Sequence, residues 1–315
     1  MTSNIQIGTG TPQMPDDNVP AAKLKVSKEG SGQGSASPLV RIFLGLLCVV
    51  WVIPVLGLLI SSFRTRDAQL SSGWWSAIAN PFDATQWTVA NYVNALGGGE
   101  GGVNMGQAFI NSFIVTVPAT VIPILIAAFA AYAFTFMEWK GRDVFFVVIV
   151  GLLVVPNQVA LVPLLKIYSQ LGMNNTFPAV WLAHIGFGMP LAIYIFRGYM
   201  ATLPMAVIES AKIDGASHFT TFWRLIIPMS VPALASFAIF QFLWVWNDLL
   251  VALIFLGRGD NTIATVALQG LQGQTGQGRE LIPSAGFITI IVPILVFLAL
   301  QRYFIRGMTS GAVKG

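Results

Sequence analysis

The stretch that decides how this chain is read is Leu203-Pro204-Met205-Ala206-Val207-Ile208-Glu209-Ser210-Ala211-Lys212-Ile213-Asp214-Gly215-Ala216-Ser217, continuing His218-Phe219-Thr220-Thr221-Phe222-Trp223-Arg224-Leu225-Ile226-Ile227-Pro228. It lies between two long apolar runs, residues 179–199 and 230–256. Pro204 suits the first turn of a helix. On that helix Glu209 and Lys212 lie three apart, while Met205, Ile208 and Ala211 share another face. Gly215 permits a left-handed bend between two short helices. Ser217 caps the second, which presents Phe219, Phe222 and Trp223. The pattern predicts a compact amphipathic projection with one carboxylate and an apolar knob, a shape suited to a groove on another protein.

Outward from this loop the chain is almost entirely apolar. Of its 315 residues 55% are hydrophobic and 10% charged, with a mean hydropathy of +0.72. Soluble domains carry roughly 25% charged residues, so lipid must supply part of the solvent here. A helix needs about 20 mostly apolar residues to cross the hydrocarbon core. Six runs qualify: 39–62, 108–136, 144–165, 179–199, 230–256 and 285–304. The expected fold is an all-α integral membrane protein with six transmembrane helices. Pro118, Pro123, Pro156 and Pro163 interrupt the second and third runs, either as packing kinks or as gating elements.

Residues 1–37 are rich in Gly, Ser, Pro and charge, and read as a disordered cytoplasmic tail. They lack the anatomy of a secretory signal, because the first apolar run begins only at Leu39 and is followed by Arg64 and Arg66. Cys48 has no partner for a disulfide, and His184 and His218 form no zinc pattern.

Lys and Arg set the orientation. With the N-terminus inside, the inner side holds Lys23, Lys25, Lys28, Arg41, Lys140, Arg142, Arg197, Lys212, Arg224, Arg302, Arg306 and Lys314. The outer side holds only Arg64, Arg66, Lys166, Arg258 and Arg279. Both termini are expected in the cytoplasm. Two sizeable segments then lie outside, 63–107 and 257–284. The first carries Trp74, Trp75 and Trp87, at the lipid interface or packed in a small external cap. The second is rich in Gly and Gln, with Gln269, Gln272, Gln274 and Gln277. It reads equally as a linker or as a contact loop for an external partner.

The run Glu209-Ser210-Ala211, with Gly215 six positions after Glu209 and then Leu225-Ile226-Ile227-Pro228, resembles the coupling loop of ATP-binding-cassette importer permeases. That pattern begins Glu-Ala-Ala, has Gly at its seventh position and ends Ile-x-Leu-Pro. Ser210, Leu225 and Ile227 are mild departures at unchanged spacing. Trp246-Asn247-Asp248 resembles the Trp-Asn-acidic signature of carbohydrate permeases. Residues 301–315, Met173-Asn174-Asn175-Thr176 and Ala130-Ala131-Tyr132-Ala133-Phe134 are similar to the second permease of maltose-type importers. Gly73-Trp74-Trp75 leans towards the α-glucoside branch.

The resemblance spans residues 39–315. It implies a type I importer permease domain over 38–306, with a coupling loop at 203–228 and a cytoplasmic tail at 307–315 that reaches between two ATPase subunits. It makes Glu209, Ser210, Ala211, Asp214, Gly215, Ala216, Phe219 and Pro228 the ATPase-coupling set. It also implies a second homologous permease, two ATPases, an extracytoplasmic sugar-binding protein and the lipid membrane as partners; nucleic acid is not among them. Gln272, Gln274 and Gln277 would belong to a loop that enters the binding protein's cleft.

None of the seven lysines follows a glycine, so a phosphate-cradling loop ending Gly-Lys is missing. The chain is thus expected to bind no cofactor and catalyse nothing, with ATP and Mg on partner subunits. Asn157, Gln158 and Gln241 are polar residues at membrane depth, fit for sugar hydroxyls or for bonds between helices. Trp244 and Trp246 suit sugar faces or interface anchoring. Asn247 and Asp248 lie near the outer end of the fifth run, where Asp248 either serves a pathway or simply reaches water. A proton- or sodium-coupled carrier tends to show internal repeats and mid-membrane acids, and neither is evident. A membrane hydrolase lacks a clustered nucleophile and base.

Overall fold

The computed structural model describes residues 37–97, 104–271 and 278–309, with side chains through residue 301. Contacts divide the chain into two units, residues 1–50 and 51–315. The described part of the first is the leading half of α1 (Pro38–Ser62), where every residue is exposed. The second unit holds the remainder of α1 and a helical bundle.

Between α1 and the bundle the chain folds into a cap of short helices, α2 (Arg66–Ser71), α3 (Trp75–Ala79) and α4 (Ala90–Gly97). Its hub is Arg64, only 1% exposed. The guanidinium donates to the Ser72 and Ala68 carbonyls and to the Ser72 and Ser76 hydroxyls, at 2.7–3.1 Å. Burying a charge requires this degree of satisfaction. Asn91 Nδ2 donates to the carbonyls of Ser62 and Arg64 and so ties α4 to the end of α1. Trp74 lies against Gly57, and Trp87 Nε1 donates to the Pro81 carbonyl, so both belong to the cap; Trp75 stays largely exposed.

The bundle is built from α5 (Met105–Phe136), the pair α6 (Arg142–Gly151) and α7 (Asn157–Gln170), α8 (Phe177–Met200), α9 (Met205–Ile213), α10 (His218–Thr221) and α11 (Ile227–Trp246). It closes with α12 (Leu250–Phe255), α13 (Ala264–Gly270) and α14 (Ile282–Thr309). Ala119, Ala127, Ala128 and Ala131 on α5 are fully buried. Small side chains of this kind let membrane helices approach closely, and α5 forms its largest interface with α8. The α4 end of α5 is termed the cap end below. Its other end, beside the Glu209 loop, is the motif end.

Among the described residues five helices are long and apolar enough to cross a membrane, and the bent α6–α7 pair supplies a sixth crossing if counted as one. Three expectations change in detail. The run 144–165 is not one straight helix, because α6 and α7 meet at 99°. Pro156 offers no N–H and disfavours the helical region for the residue before it. The Leu152 carbonyl, which Pro156 leaves without its helical donor, takes the Val155 N–H instead and closes a 3₁₀ turn. The run 230–256 breaks at Asn247–Leu249, leaving α12 separate. The second arm of the Glu209 loop is not a separate short helix either. From His218 it continues through a π-helical turn, Phe222–Ile226, into α11 as one span ending at Trp246. At the C-terminus α14 runs on to Thr309.

Pro118 and Pro123 do not break α5. Each removes the donor to the carbonyl four residues earlier, and neighbouring helices replace it. Trp181 Nε1 on α8 donates to the Ile114 carbonyl at 2.9 Å, and Gln241 Nε2 on α11 donates to the Ala119 carbonyl at 3.2 Å. The same device recurs on α14, where Pro293 releases the Thr289 carbonyl and Trp246 Nε1 takes it at 3.0 Å.

Candidate functional site

At the motif end, Pro204 is the N-cap of α9 rather than its first helical residue. Of the face Met205, Ile208 and Ala211, Ile208 alone is fully buried. It packs with Tyr132 and Phe136 of α5, Phe196 and Met200 of α8, and Phe222 and Ile226 of the π turn. Within α9, Ile208 is the one buried residue, while Phe222 and Ile226 anchor the other arm of the loop. Glu209, Ser210 and Asp214 are exposed, and Glu209 forms no ion pair among the described residues. Ser210 Oγ is turned back onto the Ala206 carbonyl.

The bend follows the predicted form. Gly215 has φ +77°, its N–H donates to the Lys212 carbonyl, and the Ala216 N–H donates to the Ala211 carbonyl. These two bonds define a Schellman closure, in which a left-handed residue is required and glycine carries it without strain. Ser217 then caps α10 by accepting the Thr220 N–H at 3.2 Å. Ile213 and Phe219, 86% and 68% exposed, project as apolar groups that the described residues leave uncovered. Pro228 is not at the tip. It sits in the first turn of α11, beyond the π turn.

A second feature lies at mid-depth. A cavity of about 360 Å³ is enclosed by Leu152, Leu153, Val155, Pro156, Asn157 and Ala160 of the broken span, by Gly186, Phe187, Pro190 and Leu191 at the middle of α8, and by Phe240 and Trp244 of α11. Residues 151–156 are all exposed in the isolated chain. Irregular backbone at this depth is tolerated only where protein or a water-filled cavity covers it. Asn157 and Trp244 meet in this cavity. Gln158 is exposed beside it but does not line it.

The remaining polar candidates have structural partners. Gln241 is fully buried and holds the Ala119 carbonyl, and Trp246 is buried against α14. Asn247 Nδ2 donates to the Leu243 carbonyl at the end of α11. Asp248, just before α12, accepts the Ala252 N–H of its first turn; its Oδ2 lies 3.8 Å from Nε2 of the buried His184. The sequence alone did not link these two residues.

At the cap end, residues 257–271 are packed rather than a free linker. Asn111 Nδ2 donates to the Asp260 and Thr262 carbonyls, Asn261 Nδ2 to the Asn175 carbonyl, and Arg258 to Gln269 Oε1. An opening of about 890 Å³ there is lined by Asn104, Gln107, Asn111, Arg258 and Asp260 among others. Gln272, Gln274 and Gln277 lie outside the described residues, as do 310–315 of the C-terminal tail. The sequence reading missed Arg64, Asn91, Asn111 and Trp181. For Trp181 a signal existed, since prolines inside an apolar run announce free carbonyls that need donors.

Residues 102–310 match the family described as "Binding-protein-dependent transport system inner membrane component". The chain is 51% identical to the osmoprotective compounds uptake permease protein GgtD of Synechocystis sp., over 85% of this chain and 89% of that one. It is 40% identical to the alpha-glucoside transport system permease protein AglG of Rhizobium meliloti, over 86% and 95%. At 30% identity it resembles the arabinooligosaccharides transport system permease protein AraQ of Halalkalibacterium halodurans, over 88% and 96%. Among solved structures, a chain of a bacterial alginate ABC transporter, in complex with an alginate pentasaccharide-bound periplasmic protein, superposes with a TM-score of 0.57 at 16% identity, covering 84% of this chain and 93% of that one. That likeness concerns the fold.

Proposed function

This chain belongs to the family of binding-protein-dependent transport system inner membrane components, a non-catalytic permease subunit of an ATP-binding-cassette importer, and we propose that it forms half of the route by which an oligosaccharide of the α-glucoside class enters the cell. The observation that carries this reading is the mid-depth break at Leu152–Pro156, which opens beside Asn157 and Trp244. An indole face and an amide are the groups that meet a sugar ring and its hydroxyls. The name of the 40% identical relative supports the α-glucoside class.

In this reading a second homologous permease covers the exposed break and completes the pathway. Two ATPases receive the loop 203–228, with Glu209 in a charge-assisted contact and Ile213 and Phe219 in an apolar groove. A sugar-binding protein docks at the cap end. The motif end and both termini face the cytoplasm, in agreement with the Lys and Arg distribution. The chain itself supplies no chemistry. It supplies a pathway and a lever.

The test of the sugar class uses the assembled importer in proteoliposomes, with its binding protein loaded in turn with an α-linked glucose disaccharide and with an arabinose oligomer. ATPase stimulation by the first and not by the second is expected. Stimulation by the arabinose oligomer alone would overturn the assignment of class.

A further inference from the structure

The loop at the motif end is joined to the bundle by more than Ile208. The joint is made by Tyr132, four residues before Phe136, the buried last residue of α5. Its ring is 5% exposed and packs edge-on against Phe222 at 5.5 Å and beside Phe136 at 5.4 Å. Its hydroxyl, however, reaches out of this apolar cluster to Nδ1 of His218 at 2.9 Å. His218 is the first residue of α10, immediately after the Ser217 cap, and is itself exposed. One turn away, Phe129 stacks on Phe222 with centroids 4.2 Å apart and planes 20° from parallel.

These contacts fall at a particular place in the backbone. α10 passes into α11 through the π turn Phe222–Ile226, and π turns inside helices are concentrated at functional sites. The span from His218 to Trp246 is one rod. It carries the loop at one end and the cavity-lining Phe240 and Trp244 towards the other. α5 holds this rod at two polar points, Tyr132 to His218 and the Ala119 carbonyl to Gln241. Relative to α5, two pins fix the angle of the rod, whereas one leaves it free to pivot; α8 adds a separate hold where Tyr199 Oη donates to the Met229 carbonyl at 3.2 Å. A buried ring with its hydroxyl spent on an exposed histidine adds only modestly to stability, since phenylalanine would fill the same apolar space without a polar group to satisfy.

We propose that Tyr132 is a positioning residue for energy coupling: through His218 it locks the loop end of the α10–α11 rod to α5, so that a displacement of the loop moves the rod instead of pivoting it. The inference rests on the reading of 203–228 as the ATPase-coupling loop. It adds a residue outside that loop, on another span, to the coupling machinery.

The experiment compares Tyr132→Phe, His218→Ala, His218→Asn and the double variant Tyr132→Phe/His218→Ala in the assembled importer. It records sugar taken up per ATP hydrolysed, together with complex yield and thermal stability. Tyr132→Phe and His218→Ala should each lower the uptake-to-hydrolysis ratio about fivefold, the factor expected from one lost hydrogen bond. The double variant should be no worse than either single one, because both remove the same bond. His218→Asn, whose side-chain oxygen occupies the place of Nδ1, should restore most of the ratio. An unchanged ratio, or losses confined to yield and stability, overturns the proposal. Glu209→Ala run alongside separates the two readings. If it stops uptake while Tyr132→Phe does not alter the ratio, only the role of Tyr132 fails; if it transports normally, the coupling loop itself is misassigned.

Discussion

Glu209→Ala is expected to reduce ATP-dependent sugar uptake at least about 30-fold while leaving the chain folded and inserted, because truncating one partner of a buried, hydrogen-bonded charge pair costs about 2–5 kcal/mol. The loss cannot be ascribed to the fold of this chain. Glu209 is exposed, forms no ion pair among the described residues, and lies on the face of α9 away from buried Ile208. Gly215→Val should act as strongly by a different route. A β-branched residue at φ +77° is a steric outlier, and left-handed backbone costs about 1–2 kcal/mol even for an ordinary residue. Relieving that strain would open the Schellman closure and re-aim Phe219. Uptake, basal ATPase activity and retention of ATPase subunits through purification check both variants. Normal uptake by Glu209→Ala would remove the basis for the coupling assignment.

The second large effect is expected in the middle of the bundle. A Cβ placed on Gly188 would lie 2.7 Å from Nε2 and 2.8 Å from Oε1 of Gln241. Gln241 cannot yield freely, since it is fully buried and bonded to the Ala119 carbonyl. Gly188→Val should therefore cost about 1–3 kcal/mol by overpacking and in addition free a carbonyl that Pro123 has already deprived of its helical donor. Loss of the hydrogen bond alone is a smaller matter, about 0.6 kcal/mol on average between membrane helices. Two variants separate these terms. Gln241→Leu should destabilise the protein modestly. In a Pro123→Ala background, where the residue 123 N–H again reaches the Ala119 carbonyl, Gln241→Leu should cost less. Thermal unfolding in detergent measures all of them. Additive losses for Gln241→Leu and Pro123→Ala would show that the amide and the proline are not paired.

That pairing also marks where sequence reading stops. The apolar runs gave four of the crossings to within a few residues, because length and hydropathy are local properties, whereas the run 230–256 missed both ends of the span His218–Trp246. The bend at Gly215 and the cap at Ser217 were equally local. The prolines were not. Pro118, Pro123 and Pro156 look alike in sequence, yet two leave α5 continuous and the third turns the chain by 99°. The difference is whether a donor reaches the freed carbonyl. Trp181 and Gln241, far along the chain, serve the first two, whereas at Pro156 the Val155 N–H closes a tight turn.

The polar residues divide on the same ground. Asn157 and Gln241 were equivalent candidates for the pathway, and folding sends one to the cavity and the other to a backbone carbonyl. Trp244 and Trp246 part in the same way, two residues apart on α11. Asp248 gained a neighbour that sequence distance concealed, His184 on α8.

The most direct test of the account is uptake of radiolabelled α-glucoside into proteoliposomes that hold the complete importer, with sugar-loaded binding protein outside and ATP either enclosed or omitted. Accumulation is expected only with enclosed ATP and with the binding protein present, unchanged when proton and sodium gradients are collapsed. Accumulation without ATP, driven by an imposed ion gradient, would contradict it.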